Sequence, residues 1–335
     1  MDYISDEKGT EEQNNIFVLP DTLLVRILSE LSMKDILKLR LVSRSFYNFI
    51  HENYHLLDRK CVHSVWIKYD KNCEEYPISV DLLFVDYWDY EVHDQYYMEN
   101  IEIQSVEEFS RIFKMFDMRD LNLLDVSVAD NLDIFSVLNK SFQTGTKIEN
   151  LRISKFAEKD FKSSRTFFEK LSSVKKLYIE NICVPSTGEK DVYSLFSLPA
   201  FKTLKDLSIF EWQKTEVLSG SFVTNLIREN PNLKDLHLQS TNIENSRSII
   251  KNFLTTEYPH EAESKYGRNI TVLDLFFGGD FERLFDNILR NDIRGLKNVR
   301  IVRYSYNVIF KSAIECKYCL KNRHTIEKKL VLHKI

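Results

Sequence analysis

Six times between residues 148 and 301 the chain repeats a short pattern, apolar–x–x–apolar–x–apolar, and this pattern constrains the fold more tightly than any other feature of the sequence. The copies are Ile148, Leu151 and Ile153; Val174, Leu177 and Ile179; Leu204, Leu207 and Ile209; Leu233, Leu236 and Leu238; Ile270, Leu273 and Leu275; and Leu296, Val299 and Ile301. Weaker copies stand at Met118, Leu121 and Leu123, and at Val62, Val65 and Ile67. Period-two alternation over the closing positions predicts a strand with one buried face. Helical spacing follows several copies: Phe167, Phe168 and Leu171; Phe222, Val223, Leu226 and Ile227; Ile249, Ile250, Phe253 and Leu254; Phe281, Leu284, Phe285, Ile288 and Leu289. A strand and a helix recurring every 26 to 37 residues cannot bury their apolar faces alone, so neighbouring units must stack on one another.

This α/β unit resembles a leucine-rich repeat. That family places an Asn three residues past the third apolar position, where this chain has Phe156, Ile182, Trp212, Thr241 and Gly278. The repeats are therefore read as degenerate, and the resemblance implies an irregular solenoid; a layered α/β sheet without repeats is the competing architecture. In such an array the residues between the apolar positions point to the concave face. They are Asn150, Arg152 and Ser154; Lys176, Tyr178 and Glu180; Asp206, Ser208 and Phe210; Asp235, His237 and Gln239; Val272, Asp274 and Phe276; Asn298, Arg300 and Val302. Charges of both signs mixed with aromatics suit protein recognition. Arg152, Tyr178, Phe210, His237, Asp274, Phe276 and Arg300 are the expected target-binding residues.

Ahead of the repeats, Leu23, Leu24, Ile27, Leu28 and Leu31 recur at helical spacing. Pro20 stands where a missing N–H costs nothing. Ser32 with Asp35 makes an approximate capping box for a second helix carrying Ile36, Leu37 and Leu39, and Ser43 is an N-cap for a third carrying Phe46, Tyr47, Phe49 and Ile50. So short a segment leaves apolar surface beyond its own needs. Leu19–Pro20, Ile27–Leu28, Leu31, Ile36 to Leu39 and Val42-Ser43-Arg44-Ser45-Phe46 resemble an F-box, with Phe46 where that family usually has Trp and Lys34 where it often has Pro. The resemblance implies docking onto the Skp-family linker of SCF-type cullin-RING ubiquitin ligases. Leu19, Pro20, Leu24, Ile27, Leu28, Leu31, Ile36, Leu39, Val42 and Phe46 are the expected linker-binding residues.

The domain organisation expected is a disordered acidic tail over 1–15, the F-box over 16–58, and a repeat-like substrate-binding domain over 59–335. The last includes an acidic, aromatic insert near 70–99 and a basic C-terminal cap. In that insert Asp70, Glu74, Glu75, Asp81, Asp86, Asp89, Glu91, Asp94 and Glu99 face one basic residue, Lys71. The cap carries Lys311, Lys317, Lys321, Arg323, Lys328, Lys329 and Lys334. A hydrophobic share of 43% excludes a disordered chain, and a net charge of -4 gives no whole-protein reason for nucleic-acid binding.

Five scattered cysteines, an odd number, fit reduced thiols in the cytoplasm or nucleus rather than a disulfide framework. The opening residues resemble no signal peptide, and no apolar run approaches the ~20 residues of a membrane span. Cys316 and Cys319 form a zinc half-site spacing, but His324 follows too closely and His333 is spaced too far from it to complete a finger, so no metal is expected. No phosphate-binding loop, nucleophile elbow, metalloprotease or kinase signature is present. The expectation is a non-enzymatic adaptor without cofactors, which binds the linker and a protein target and neither nucleic acid nor membrane. A scaffold that binds proteins without promoting ubiquitination is the alternative.

Overall fold

The structure, a computed structural model, describes residues 16–31, 33–54, 56–57, 59–70, 72–75, 77–86, 95–128, 132–184, 188–212, 215–255, 270–293, 296, 298–315 and 325–335. The acidic tail read at 1–15, the capping role read for Ser32, and Cys316, Cys319 and His324 lie outside them. The chain divides into two compact units, one ending at Lys60 and the other running Cys61–Ile335.

The first unit is three short helices. Helix α1 spans Asp21–Ser29, with Pro20 as its N-cap residue. Leu24 and Leu28, one turn apart, are buried. Helix α2, Met33–Val42, buries Ile36. Helix α3, Arg44–Asn53, starts where the sequence places a cap: the Ser43 hydroxyl accepts from the Phe46 N–H at 3.2 Å. It buries Phe49 and Ile50, and Phe17 sets its ring 4.9 Å from Phe46 and 6.1 Å from Phe49.

The second unit is built on one mixed sheet. Its strands are β1 Ser64–Tyr69, β2 Ile78–Asp86, β3 Gln95–Ile103, β4 Asp120–Val128, β5 Thr146–Ile153, β6 Leu171–Cys183, β7 Asp206–Glu211, β8 Asp235–Ser240, β9 Ile270–Phe277, β10 Val299–Arg303, β11 Asn307–Glu315 and β12 Thr325–Lys334. They lie in the order β10-β11-β12-β9-β8-β7-β6-β5-β4-β1-β2-β3. From β4 to β9 each strand pairs in parallel with its successor in sequence. Parallel neighbours need a crossover, and helices supply it: α5 Ile134–Ser141, α6 Phe161–Lys170, α7 Glu189–Phe196, α8 Gly220–Glu229 and α9 Ile243–Thr255. Helices α4 Val106–Phe113 and α10 Phe281–Asn287 flank this series, and each helix packs on its neighbour in chain order.

Two rows of apolar side chains run unbroken across the inward face. One passes through Leu82, Val65, Leu124, Leu151, Leu177, Leu207, Leu236, Leu273, Leu330 and Phe310. The other passes through Val80, Ile67, Val126, Ile153, Ile179, Ile209, Leu238, Leu275, Leu332 and Val308. Every one of these residues is buried. Above them the helices contribute Phe135, Phe167, Phe168, Phe201 and Phe222, with neighbouring rings such as Phe168 and Phe201 at 5.1 Å. Where the repeat family would place a buried amide, Phe156 and Ile182 are buried instead and Trp212 is exposed.

Four sequence readings shift. On β4 the registered positions are Leu121, Leu124 and Val126, because Leu121 pairs with Ile148 and Leu123 pairs with Asn150 on the outward face. The strand at Val299 and Ile301 is not the neighbour of β9. Strand β12 takes that place, since its Leu330 and Leu332 continue both inward rows while Val299 and Ile301 are only half-buried and pair antiparallel with β11. The segment near 70–99 is not an insert in its described parts: β2 and β3 are paired strands of the sheet, with Phe84 buried and stacked 4.9 Å from Tyr97. The basic tail is not an outer cap. Strand β12 lies between β9 and β11, and its Lys328 is 2% exposed, donating to the Phe253 carbonyl at 2.8 Å. No helix among the described residues is long and apolar enough to cross a membrane.

Glu211, at the end of β7, is buried and accepts from the Leu218 N–H at 2.8 Å. Burial outweighs that bond and pushes its carboxyl up to about 7. The folded state then holds a proton that the unfolded chain releases above about 4.5, so this group's contribution to stability falls as pH rises from about 4.5 to about 7. In urea melts at several pH values, Glu211→Gln should flatten this fall and be the more stable chain at pH 8. Leu207→Ala, which opens a gap mid-row, should cost about 2–5 kcal/mol by the same measurement, while Ser208→Ala beside it should change stability by less than about 0.5 kcal/mol.

Candidate functional site

Two surfaces carry the residues that the sequence singles out, one on each unit. On the first unit the helical periodicity splits by one residue. Leu24, Leu28 and Ile36 are buried and hold the helices together, while Ile27 and Leu31 are exposed together with Leu19 and Pro20. Leu23, which the linker-docking reading leaves out, is 47% exposed and sits one turn from Ile27. Leu19, Leu23, Ile27 and Leu31 thus recur every four residues along one flank of α1 and its ends. Val42 is 67% exposed and the unanticipated Leu41 is 88% exposed, both at the end of α2. Leu39 is half-buried, as is Phe46 under the Phe17 ring. Val18, 80% exposed, extends the same kind of surface ahead of α1. A module this small with that much uncovered aliphatic surface has the composition of an interface rather than of a free surface.

On the second unit the outward face of the sheet gathers six of the seven expected target-binding residues. Arg152, Tyr178, Ser208, His237 and Asp274 stand in one registered row on β5 to β9. Phe276 and His333 pair in register in the next row, with Gln239 between Phe210 and Phe276. Arg300 stands apart, on β10 opposite Lys311. The aromatics form a chain: Tyr178 to Phe210 at 5.3 Å, Phe210 to Phe276 at 6.0 Å, and Phe276 stacked on the His333 ring at 4.5 Å. His333 joins this face because β12 lies beside β9, a neighbour the sequence pattern did not reveal.

Asp274 sits between two imidazoles. Its Oδ2 lies 3.1 Å from His237 Nδ1 and its Oδ1 lies 3.0 Å from His333 Nε2. His237 Nε2 also faces Asp206 Oδ1 at 3.7 Å. Burial raises Asp274, but the hydrogen bonds from His237 and His333 outweigh it and leave the carboxyl below its ordinary value. The hydrogen bond to Asp274 holds His237 above its ordinary value against burial, with Asp206 and Asp235 adding their charge. Burial raises Asp206. Beside this cluster a cleft of about 490 Å³ opens over Leu151 and Leu177, lined by Asn150, Arg152, Lys176, Tyr178, Asp206 and Ser208. Among the described residues no group of three or more His, Cys, Asp or Glu could hold a metal ion. The outward face of the sheet offers charge, hydrogen bonding and aromatic area to a partner.

The His237–Asp274 pair has a signed pH dependence. His237 stabilises the fold below its ordinary value near 6.5, and this contribution is lost as pH rises through the raised folded value. Asp274 stabilises above its ordinary value near 3.8, and this contribution is lost as pH falls through the lowered folded value. An NMR titration of the imidazoles should place His237 above the ordinary histidine value in the wild-type chain. In Asp274→Asn it should fall back.

No curated protein matches this chain. Residues 16–63 match the model of the F-box-like family, so the three helices and their uncovered leucines form an F-box-like domain.

Proposed function

We propose that this chain is the substrate receptor of an SCF-type cullin-RING ubiquitin ligase. Its F-box-like domain docks the Skp-family linker, and the strand–helix array, read as an irregular leucine-rich-repeat-like solenoid, holds a protein target on the outward face of its sheet. The observation that carries the reading is the uncovered flank of Leu19, Leu23, Ile27 and Leu31 within a segment that matches the F-box-like family. F-box-like domains generally dock such linkers. Apolar side chains left in water on a short helix gain most by being covered, at roughly 1.5–3 kcal/mol for each fully buried aliphatic group.

In this reading the chain contributes no bond chemistry. The partners supply the charged ubiquitin, and the receptor raises its local concentration at the target's lysines. The place of action is the cytoplasm or nucleus, where reduced cysteines persist.

Co-precipitation of the full chain with a Skp-family linker tests the proposal. The triple variant Leu19→Ala, Leu23→Ala, Ile27→Ala truncates side chains that are 37%, 47% and 44% exposed and leaves the buried Leu24 and Leu28 in place, so its circular dichroism should stay close to wild type. Its linker affinity should fall by roughly 100-fold, as expected when a few anchors dominate an interface. Capture at wild-type strength by the triple variant would sink the linker assignment.

A further inference from the structure

We infer that the cleft over Leu151 and Leu177 seats a carboxylate side chain, a Glu or Asp on an extended segment of the protein target lying across the strands. The inference rests on the reading that this face holds a protein target, and it names the chemistry of one contact. Arg152 on β5 and Lys176 on β6 are both exposed and occupy diagonal outward positions on adjacent strands, so their cationic ends serve the same space. Each has a carboxylate opposite it in register, Asp125 for Arg152 and Asp206 for Lys176. Neither cation makes a hydrogen bond or ion pair with a described residue. Asp125 accepts from the Ser127 hydroxyl at 3.0 Å, and Asp206, which lines the cleft and feels the charge of Lys176, faces His237 at 3.7 Å, so the two cations outnumber the one carboxylate that lines the cleft. Two cations thus face a common cleft whose floor is the strand backbone at Leu151 and Leu177, the side chains of these two residues being turned to the inward face.

Charge complementarity selects the occupant. An arginine fork and an ammonium together offer more donors than a neutral amide can use, while a carboxylate accepts from both. Tyr178 at the cleft and then Phe210 and Phe276 in the next row offer ring faces to residues that follow on the same segment.

The test measures fluorescence anisotropy of the full chain with labelled twelve-residue peptides of alternating Glu and Tyr, Gln and Tyr, or phosphoserine and Tyr. The Glu peptide should bind at least about tenfold more tightly than the Gln peptide, the value of one charge-assisted contact. That preference should vanish in Arg152→Gln with Lys176→Gln, and persist in Lys162→Gln, an exposed lysine on α6. Equal binding of the Glu and Gln peptides, or a preference that survives the double variant, overturns the inference. Tighter binding of the phosphoserine peptide overturns its assignment to a carboxylate. Linker capture, run in parallel, separates the two readings. A chain that captures the linker without charge preference loses only this inference, and one that shows the preference without capturing the linker loses the adaptor role.

Discussion

The second unit depends on the lateral continuity of its two inward rows. Each aliphatic side chain from Val65 and Ile67 through Leu330 and Leu332 is covered by the residues before and after it in the row, so no single strand owns a finished core. The helices complete the burial from one side. The outward positions are then free of packing duty, and for that reason they could accumulate charge, aromatic rings and the His237–Asp274–His333 ladder without loss of fold. Function of the kind proposed sits on the residues that the core does not need.

The positions of most strands were legible because a strand with one buried face repeats with period two and the inward pairs sit at a fixed offset. The template failed where composition fits two frames. Leu121, Leu123 and Leu124 are all apolar, so β4 reads equally well in the wrong register until pairing with Ile148 and Leu151 decides it. Strand β12 was hidden for the opposite reason. Glu327, Lys328 and Lys329 make it look like a solvated tail, and only the burial of Lys328 against the Phe253 carbonyl shows how a lysine enters an interior strand. The acidic residues of β2 and β3 misled in the same way, since Asp81 and Glu99 lie on strands whose neighbours Leu82 and Phe84 are buried.

The candidate surfaces were legible in part. Alternation alone places Arg152, Tyr178, His237 and Asp274 on one face, and the register brings them into one row. It could not reveal that His333 completes the ladder, because that contact spans 59 residues and depends on a strand the pattern missed. In the F-box-like domain, helical spacing identifies Leu23, Leu24, Ile27 and Leu28 as a group but does not say which flank turns inward. Packing makes that choice and leaves Leu23 and Ile27 outside.

Strand order carries a consequence for synthesis. Of the described strands, β12 emerges from the ribosome after all the others, yet it is an interior strand, flanked by β9 and β11. Until residues 325–334 arrive, β9 presents an unpaired parallel edge and β10 and β11 form a hairpin with nothing to join. A nascent chain must therefore hold a sticky edge open to solvent until residues 325–334 emerge, the condition under which strands from two molecules are most apt to pair with each other.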